Sequence, residues 1–460
     1  MTAVDNRGAG LGYRDPATIV DLPLVPDSAP EAQLVIPDGN LTIKRSILPG
    51  GVRLLTQTMA GSESTAIGFW FGVGSRDESP NDAGVSHFLE HLLFKGTGEL
   101  SALDIARRFD GVGADWNAAT TMESTYYWSH MVDTDVPTLL PTLVQMVTDA
   151  ALRQRDVDIE RGVILDELAM AEDSSSDVLF QNYAALLYPD ASLGRPVGGT
   201  PTTVLSMGRD TIADIYRDRY RPRTLVVAVA GAVNHDQFAE MLLDALEDSP
   251  WQLNGDSPAP RRTNDLVTDL SLRDPKGGAR NMVIEREVEQ AHVVVGGPHL
   301  PASDPLAPVS SVLLNILGGG MSSRLFQEIR ERRGLAYSAF AYSSSFTGAG
   351  SFGLYASCAP QRLQEVQKLL WGELEEMAEH GPTEEEMFRV KGQQRGELRL
   401  GLAEATARMS RLATSELRGR VISTTDSLAR IDAVSPNDVQ ALAESMLQVP
   451  KHSAVVTARS

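Results

Sequence analysis

His87-Phe88-Leu89-Glu90-His91 lies within the run GSRDESPNDAGVSHFLEHLLFKGT, residues 74–97, and the reading of the whole chain turns on it. A helix advances by roughly 100° per residue, so histidines four apart stack on one face with their rings aimed at a common point. Glu90 stands three residues after His87, beside that same face. The order H-x-x-E-H holds the ingredients of a zinc hydrolase in the reverse of H-E-x-x-H. Two histidines at this spacing alone are most simply a solvated helix face. The glutamate between them and the apolar neighbours Val85, Leu92 and Phe94 favour a metal site.

Around this motif the pattern is regular. Ala66 to Val73 (AIGFWFGV) reads as a strand, SRDESPNDAG as a polar turn and VSHFLEHLLF as a helix stopped by Lys95-Gly96-Thr97-Gly98. Ser101 to Arg108 reads as a second helix, and GVGADWNAATTMESTYYWSHMV as a hairpin. Helices are expected over Val136 to Leu152, Asp156 to Glu172 and Met207 to Tyr216, with a strand over Thr224 to Gly231. Residues 1–35 form a loosely ordered lead-in, and residues 246–281, full of breakers, an interdomain linker.

Beyond the linker the pattern repeats. Ala291 to Gly296 (AHVVVG) takes the place of AIGFWF at an offset of about 225, and the helical run 308–317 falls where the histidine-bearing helix stood. Near the end, PKHSAVVTARS echoes RPRTLVVAVAG. The expected fold class is therefore α+β, with two similar domains, each a mostly antiparallel mixed β-sheet flanked by helices. Residues 36–245 would be the metal-binding catalytic domain and 282–460 a similar domain without ligands. At the repeat offset, the motif falls near Leu313, Asn315 and Ile316, which cannot build the same site.

A length of 460 residues calls for two or more domains, and 42% hydrophobic residues fits a globular chain. A net charge of -20 argues against nucleic acid or an anionic membrane as a partner. Cys358, the single cysteine, excludes an internal disulfide framework and reads as a small buried apolar residue. No basic start followed by an apolar run opens the sequence, and no stretch approaches the apolar length of a membrane span, so the cytoplasm is the expected location.

Two histidines leave a zinc site short of its usual third protein ligand. DIERGVILDELAMAED offers Glu160 and Glu167, seven apart and so on one helical face. One would bind the ion and the other orient a histidine; the spacing does not choose between them. Zinc acidifies water and polarises a carbonyl, while Glu90 accepts the water's proton and returns it to a leaving amine. Further along, Gly318-Gly319-Gly320 is neither a phosphate loop nor a dinucleotide fingerprint, and would let a substrate chain approach closely. Arg324, Arg330, Arg332 and Arg333 follow it, with Tyr337 just past Gly334. Small residues at Asn117 and Ala118 would open an edge strand to an added peptide strand. The remaining histidines, at 130, 235, 292, 299, 380 and 452, are expected to be structural or exposed.

Together these segments resemble the inverted-zincin metallopeptidases of the pitrilysin and mitochondrial-processing-peptidase group, peptidase family M16, in its short single-unit branch. The resemblance spans about residues 40–460. It implies that His87 and His91 bind zinc and that Glu90 is the general base. It also implies that Glu167, 76 residues beyond His91, is the third ligand, with Glu160 in support. LNILGGGMSSRLFQEIRERRGLAYS resembles the family's glycine-rich segment and its arginine–tyrosine pair, which falls on Arg330 and Tyr337. NAATTMEST resembles the strand that receives the peptide. The implied protein is a zinc endopeptidase with one Zn2+ per chain, cleaving extended peptides in a chamber closed by a homodimer or by a heterodimer with a related subunit. Two competing readings are a noncatalytic scaffold or assembly subunit of the same fold, and a zinc hydrolase of non-peptide amides.

Overall fold

The computed structural model describes residues 12–24, 33–255, 257–263 and 278–459. Parts of the lead-in 1–35 and of the linker 246–281 lie outside these residues. The first half runs through strands β1 (Ile19–Asp21), β2 (Leu34–Asp38), β3 (Leu41–Ile47), β4 (Arg53–Thr58) and β5 (Ser64–Phe71) to helices α1 (Val85–Leu93) and α2 (Ala102–Asp110). The hairpin β6 (Asp115–Thr120) and β7 (Thr125–Val132) follows, then α3 (Val136–Thr148), α4 (Gln154–Asp173) and α5 (Ser175–Leu187). Next come α6 (Pro201–Ser206), α7 (Arg209–Arg219), β8 (Leu225–Gly231) and α8 (His235–Glu247). The second half contains β9 (Asn281–Glu285), β10 (Ala291–Pro298), α9 (Ala307–Gly318), β11 (Ala336–Phe346), β12 (Ala349–Cys358), α10 (Leu363–His380) and α11 (Glu384–Gly401). It ends with α12 (Ala405–Arg418), β13 (Arg420–Ile422), α13 (Thr424–Asp432), α14 (Pro436–Leu447) and β14 (His452–Thr457).

The two sheets repeat one plan. The first is ordered β2-β3-β4-β8-β5-β7-β6 and the second β9-β14-β10-β12-β11. In each, the corresponding pair β4–β8 or β9–β14 is parallel and every other neighbour in the shared core is antiparallel. β6 and β11 are the matching edge strands. The mostly antiparallel mixed sheets and flanking helices expected from the repeat are therefore present, and the first sheet gains β2 and β3.

Alternation along the strands explains why both faces are covered. In β8, Leu225, Val227 and Val229 join the core packed against α1, α3 and α8. Val226, Ala228 and Ala230 point to the other face, where Ala405, Met409, Leu412 and Ala413 of α12 cover them. The second sheet does the same: Val293 and Val295 face α9, α10 and α14. Val294 faces Val178, Leu179 and Tyr183 of α5. Each half thus lends one helix to the other half's sheet. Buried charge fixes the loan, since Glu416 on α12 holds Arg45 of β3 at 2.7 Å with both side chains fully buried.

The expected helix over Val136 to Leu152 stops at Thr148 because the chain beyond it pairs with the turn after α1. Gly98 N donates to Asp149 O at 3.2 Å, Thr97 bridges Ala150, and Ala151 N donates to Gly96 O at 3.0 Å. Cys358 is buried and free. Among the described residues no helix is long and apolar enough to cross a membrane.

Candidate metal centre

α1 buries Val85, Phe88, Leu89, Leu92 and Leu93 against the first sheet and leaves His87, Glu90 and His91 partly open on its other side. α4 crosses that side. Its Val157, Glu160 and Ile164 are buried, while the Glu167 side chain is 45% exposed. His87 Nε2 and His91 Nε2 lie 3.3 Å apart. Glu167 Oε2 is 3.7 Å from the first and 3.5 Å from the second. Two donor atoms each about 2.0–2.1 Å from a tetrahedral ion stand roughly 3.4 Å apart, so these three atoms sit at the separations of a zinc coordination shell. The donor set of two imidazoles and one carboxylate suits the same ion. Among the described residues, His87, His91 and Glu167 are the group able to hold a metal ion.

The other carboxylate is placed differently. Glu160 is 2% exposed, and its Oε2 lies 3.1 Å from His91 Nδ1. A carboxylate there favours the tautomer with the proton on Nδ1 and leaves the Nε2 lone pair free for an ion. The choice that sequence spacing left open is thus drawn spatially: Glu167 faces the two Nε2 atoms and Glu160 faces the back of His91. Burial lowers the His87 pKa, helped by the neighbouring His91 and opposed by the charges of Glu90 and Glu167. The ring is thereby held in its neutral, ligating form. Glu90 makes no hydrogen bond or ion pair among the described residues. Its charge reaches His87 and adds to the burial that raises the Tyr126 phenol.

Lys95 was not singled out from the sequence. Its Nζ lies 2.7 Å from Glu160 Oε1, so the carboxylate that orients His91 is itself paired. Lys95 lies in the turn just past the end of α1, so helical spacing gave no signal for this contact.

Asn117 and Ala118 lie on the edge strand β6, which packs beside α1, where Thr120 Oγ1 donates to Ser86 O at 3.4 Å. Asn117 Oδ1 accepts from Ala118 N at 2.8 Å, which occupies an outward-facing edge donor with a displaceable side chain. Arg330 and Tyr337 contact each other. Arg330 lies on a π-helical segment, Phe326–Arg332, with its guanidinium carbon 4.7 Å from the centre of the Phe326 ring and 4.9 Å from that of Tyr337. An Arg330 nitrogen also donates to Tyr337 O at 3.1 Å. No hydrogen bond, ion pair or ring contact among the described residues joins this pair to the histidine cluster. Gly318 has a packing role: an added Cβ would meet Ala341 N of β11 far inside contact distance. Gly319 caps α9 through Asn315 O, at 2.9 Å, and Gly320 is exposed. The other histidines pair with neighbours away from the centre, as His235 does with Ser46 and Thr56, and His299 with Ser310.

Residues 53–201 match the model of Insulinase (Peptidase family M16), and residues 206–394 that of the Peptidase M16 inactive domain. A Streptomyces coelicolor protein named an uncharacterized zinc protease is 44% identical over 88% of this chain and 87% of its own length. One of the same description from Mycobacterium tuberculosis is 38% identical over 89% of this chain and 92% of its own. Among solved structures, a protease from Helicobacter pylori superposes with a TM-score of 0.81 at 19% identity, over 90% of this chain and 99% of that one. A putative M16-like peptidase from Alicyclobacillus acidocaldarius does so with a TM-score of 0.75 at 19% identity, over 92% and 100%.

Proposed function

The chain belongs to the M16 peptidase family, and from that premise we propose that it is a zinc-dependent endopeptidase of unfolded or extended peptides. One observation carries the reading: His87 Nε2, His91 Nε2 and Glu167 Oε2 converge, and the charge of Glu90, which makes no hydrogen bond or ion pair among the described residues, reaches His87. His87, His91 and Glu167 would hold one Zn2+ per chain, with Glu160 fixing the His91 ring. Bound zinc would supply a Lewis acid that polarises the scissile carbonyl and acidifies water. Glu90 then takes the proton of the attacking water and delivers it to the departing amine.

The substrate side draws on both halves. An extended peptide would add to the β6 edge at Asn117 and Ala118, replacing the Asn117 Oδ1 contact with backbone hydrogen bonds. Arg330 and Tyr337, stacked and open to solvent, would meet the peptide's carbonyls from the second half. Gly318, Gly319 and Gly320 would offer backbone beside them, Gly318 also packing closely on Ala341. The matching edge strands β6 and β11 support a chamber completed by a second copy of this fold.

Turnover of a set of quenched peptides, read beside metal content, tests the assignment. Glu90→Gln keeps the side-chain volume and removes the base, so zinc content should hold while cleavage falls by about 10²–10⁴-fold. Unchanged cleavage would remove Glu90 from the mechanism.

A further inference from the structure

α1 begins without a capping side chain of its own. Its N-cap residue is Gly84, with φ of +96°, where an added Cβ would stand 2.6 Å from Gly198 O. Neither the backbone conformation nor the space admits serine or aspartate there. The cap comes instead from Glu78, six residues upstream. Its carboxylate is buried, and Oε2 accepts from Gly84 N at 2.8 Å while Oε1 accepts from Ser86 N at 2.7 Å.

The same residue reaches the loop on the far side of the helix start. Glu78 O accepts from an Arg195 nitrogen at 2.5 Å. That loop runs on to Gly198, where a Cβ would lie 3.6 Å from His87 Nδ1, and to Gly199, where a Cβ would collide with Ala83 O. Glu78 therefore holds the helix start with its carboxylate, through Gly84 N and Ser86 N just before the first histidine, and the loop with its backbone carbonyl.

We propose that Glu78 is a positioning residue for the metal centre. By holding Gly84 N and Ser86 N it sets where α1 starts along its axis, and so where His87 and Glu90 stand relative to Glu167 on α4. α1 is nine residues long, about 13.5 Å at 1.5 Å per residue, so a slip at its first turn is carried directly to His87. A glutamine at this place keeps the volume but presents one acceptor oxygen and one amide group to two backbone donors. The inference rests on His87, His91 and Glu167 being the ligands.

The test uses the full-length chain and the zinc ion itself, with affinity measured by competition against a chromophoric chelator on the folded fraction. Glu78→Gln is expected to weaken zinc binding by about tenfold, in the range seen when support behind a ligand is lost, and to lower kcat with KM little changed. Asp38→Asn serves as a control that lowers thermal stability with zinc affinity unchanged, because Asp38 sits on β2, the sheet edge opposite β6, and pairs with Arg411 of α12 at 2.8 Å. Glu78→Asp, which retains the charge but is one methylene shorter, should fall between wild type and Glu78→Gln. Should Glu78→Gln lower only the melting temperature, with zinc affinity and kcat within twofold of wild type, Glu78 is a structural cap and the proposal fails. His91→Ala separates the two levels. If it leaves zinc affinity unchanged, the ligand assignment falls and the proposal with it; if it abolishes binding while Glu78→Gln does not weaken it, the proposal falls alone.

Discussion

The helix pairs α1–α4 and α9–α11 lie on sheets of the same plan, yet among the described residues the first pair alone gathers a group able to hold a metal ion. Where α4 brings Glu160 to His91 of α1 at 3.1 Å, α11 brings Gln394 to Ser311 of α9 at 2.9 Å. Val312 and Ile316 of α9 are fully buried, whereas His87 and His91 keep one side open. The shared scaffold fixes how two helices meet over a sheet. Whether the meeting point becomes core or coordination site depends on a few side chains. The halves are nonetheless not independent, because α5 and α12 are exchanged between them.

The largest effect should come from breaking that exchange. Residues 1–263 expressed alone lack α12, which leaves the face of Leu55, Ala66, Trp70 and Val226 uncovered and Arg45 buried without Glu416. The fragment should show no cooperative thermal transition by near-UV circular dichroism; a melt within a few degrees of the intact chain would show the first half to be self-sufficient. A smaller version of the same cut is Glu416→Gln. Removing one partner of a buried pair typically costs about 3–5 kcal/mol, to be read from urea unfolding. A loss under about 1 kcal/mol would mean that α12 is held by apolar packing alone.

The exchange also has a pH signature. Burial would raise the Asp38 carboxyl, but hydrogen bonding and charge from Arg411 on α12, with Thr424 N and Gln57, bring it down to about 2. Because the folded value lies below the ordinary 3.8, its stabilisation is fully present above about pH 4 and is lost as pH falls through 2. The contribution is about 2 kcal/mol, and Asp38→Asn should remove that acid dependence from the urea midpoint. An unchanged slope between pH 4 and 2 would place the acid sensitivity elsewhere. The smallest effect sharpens the metal side of the comparison. Lys95→Met strips Glu160 of its ion pair and should weaken zinc binding by about tenfold, measured by chelator competition.

Local chemistry was the legible part of this chain. The spacing of His87, Glu90 and His91 and the repeat of AIGFWF in AHVVVG could be read from residue type and period, and the sheets follow that repeat. What depends on the meeting of distant segments could not. Glu160 and Glu167 share a helical face, so only the crossing of α4 over α1 assigns one to the back of His91 and the other to the two Nε2 atoms. Nothing in SSDVLFQNYAALL says that its apolar side will rest on a sheet whose strands begin about 100 residues later. Gly318 reads from the sequence as a place for substrate, and the close approach of Ala341 adds a packing reason for glycine there that no residue type or period announces.

The central claim is that one zinc ion sits between α1 and α4 and none in the corresponding place of the second half. Anomalous diffraction at the zinc edge from crystals grown with the metal tests it directly. The account predicts a single strong peak per chain, bounded by His87, His91 and Glu167; a peak between α9 and α11, or none at the histidines, would contradict it.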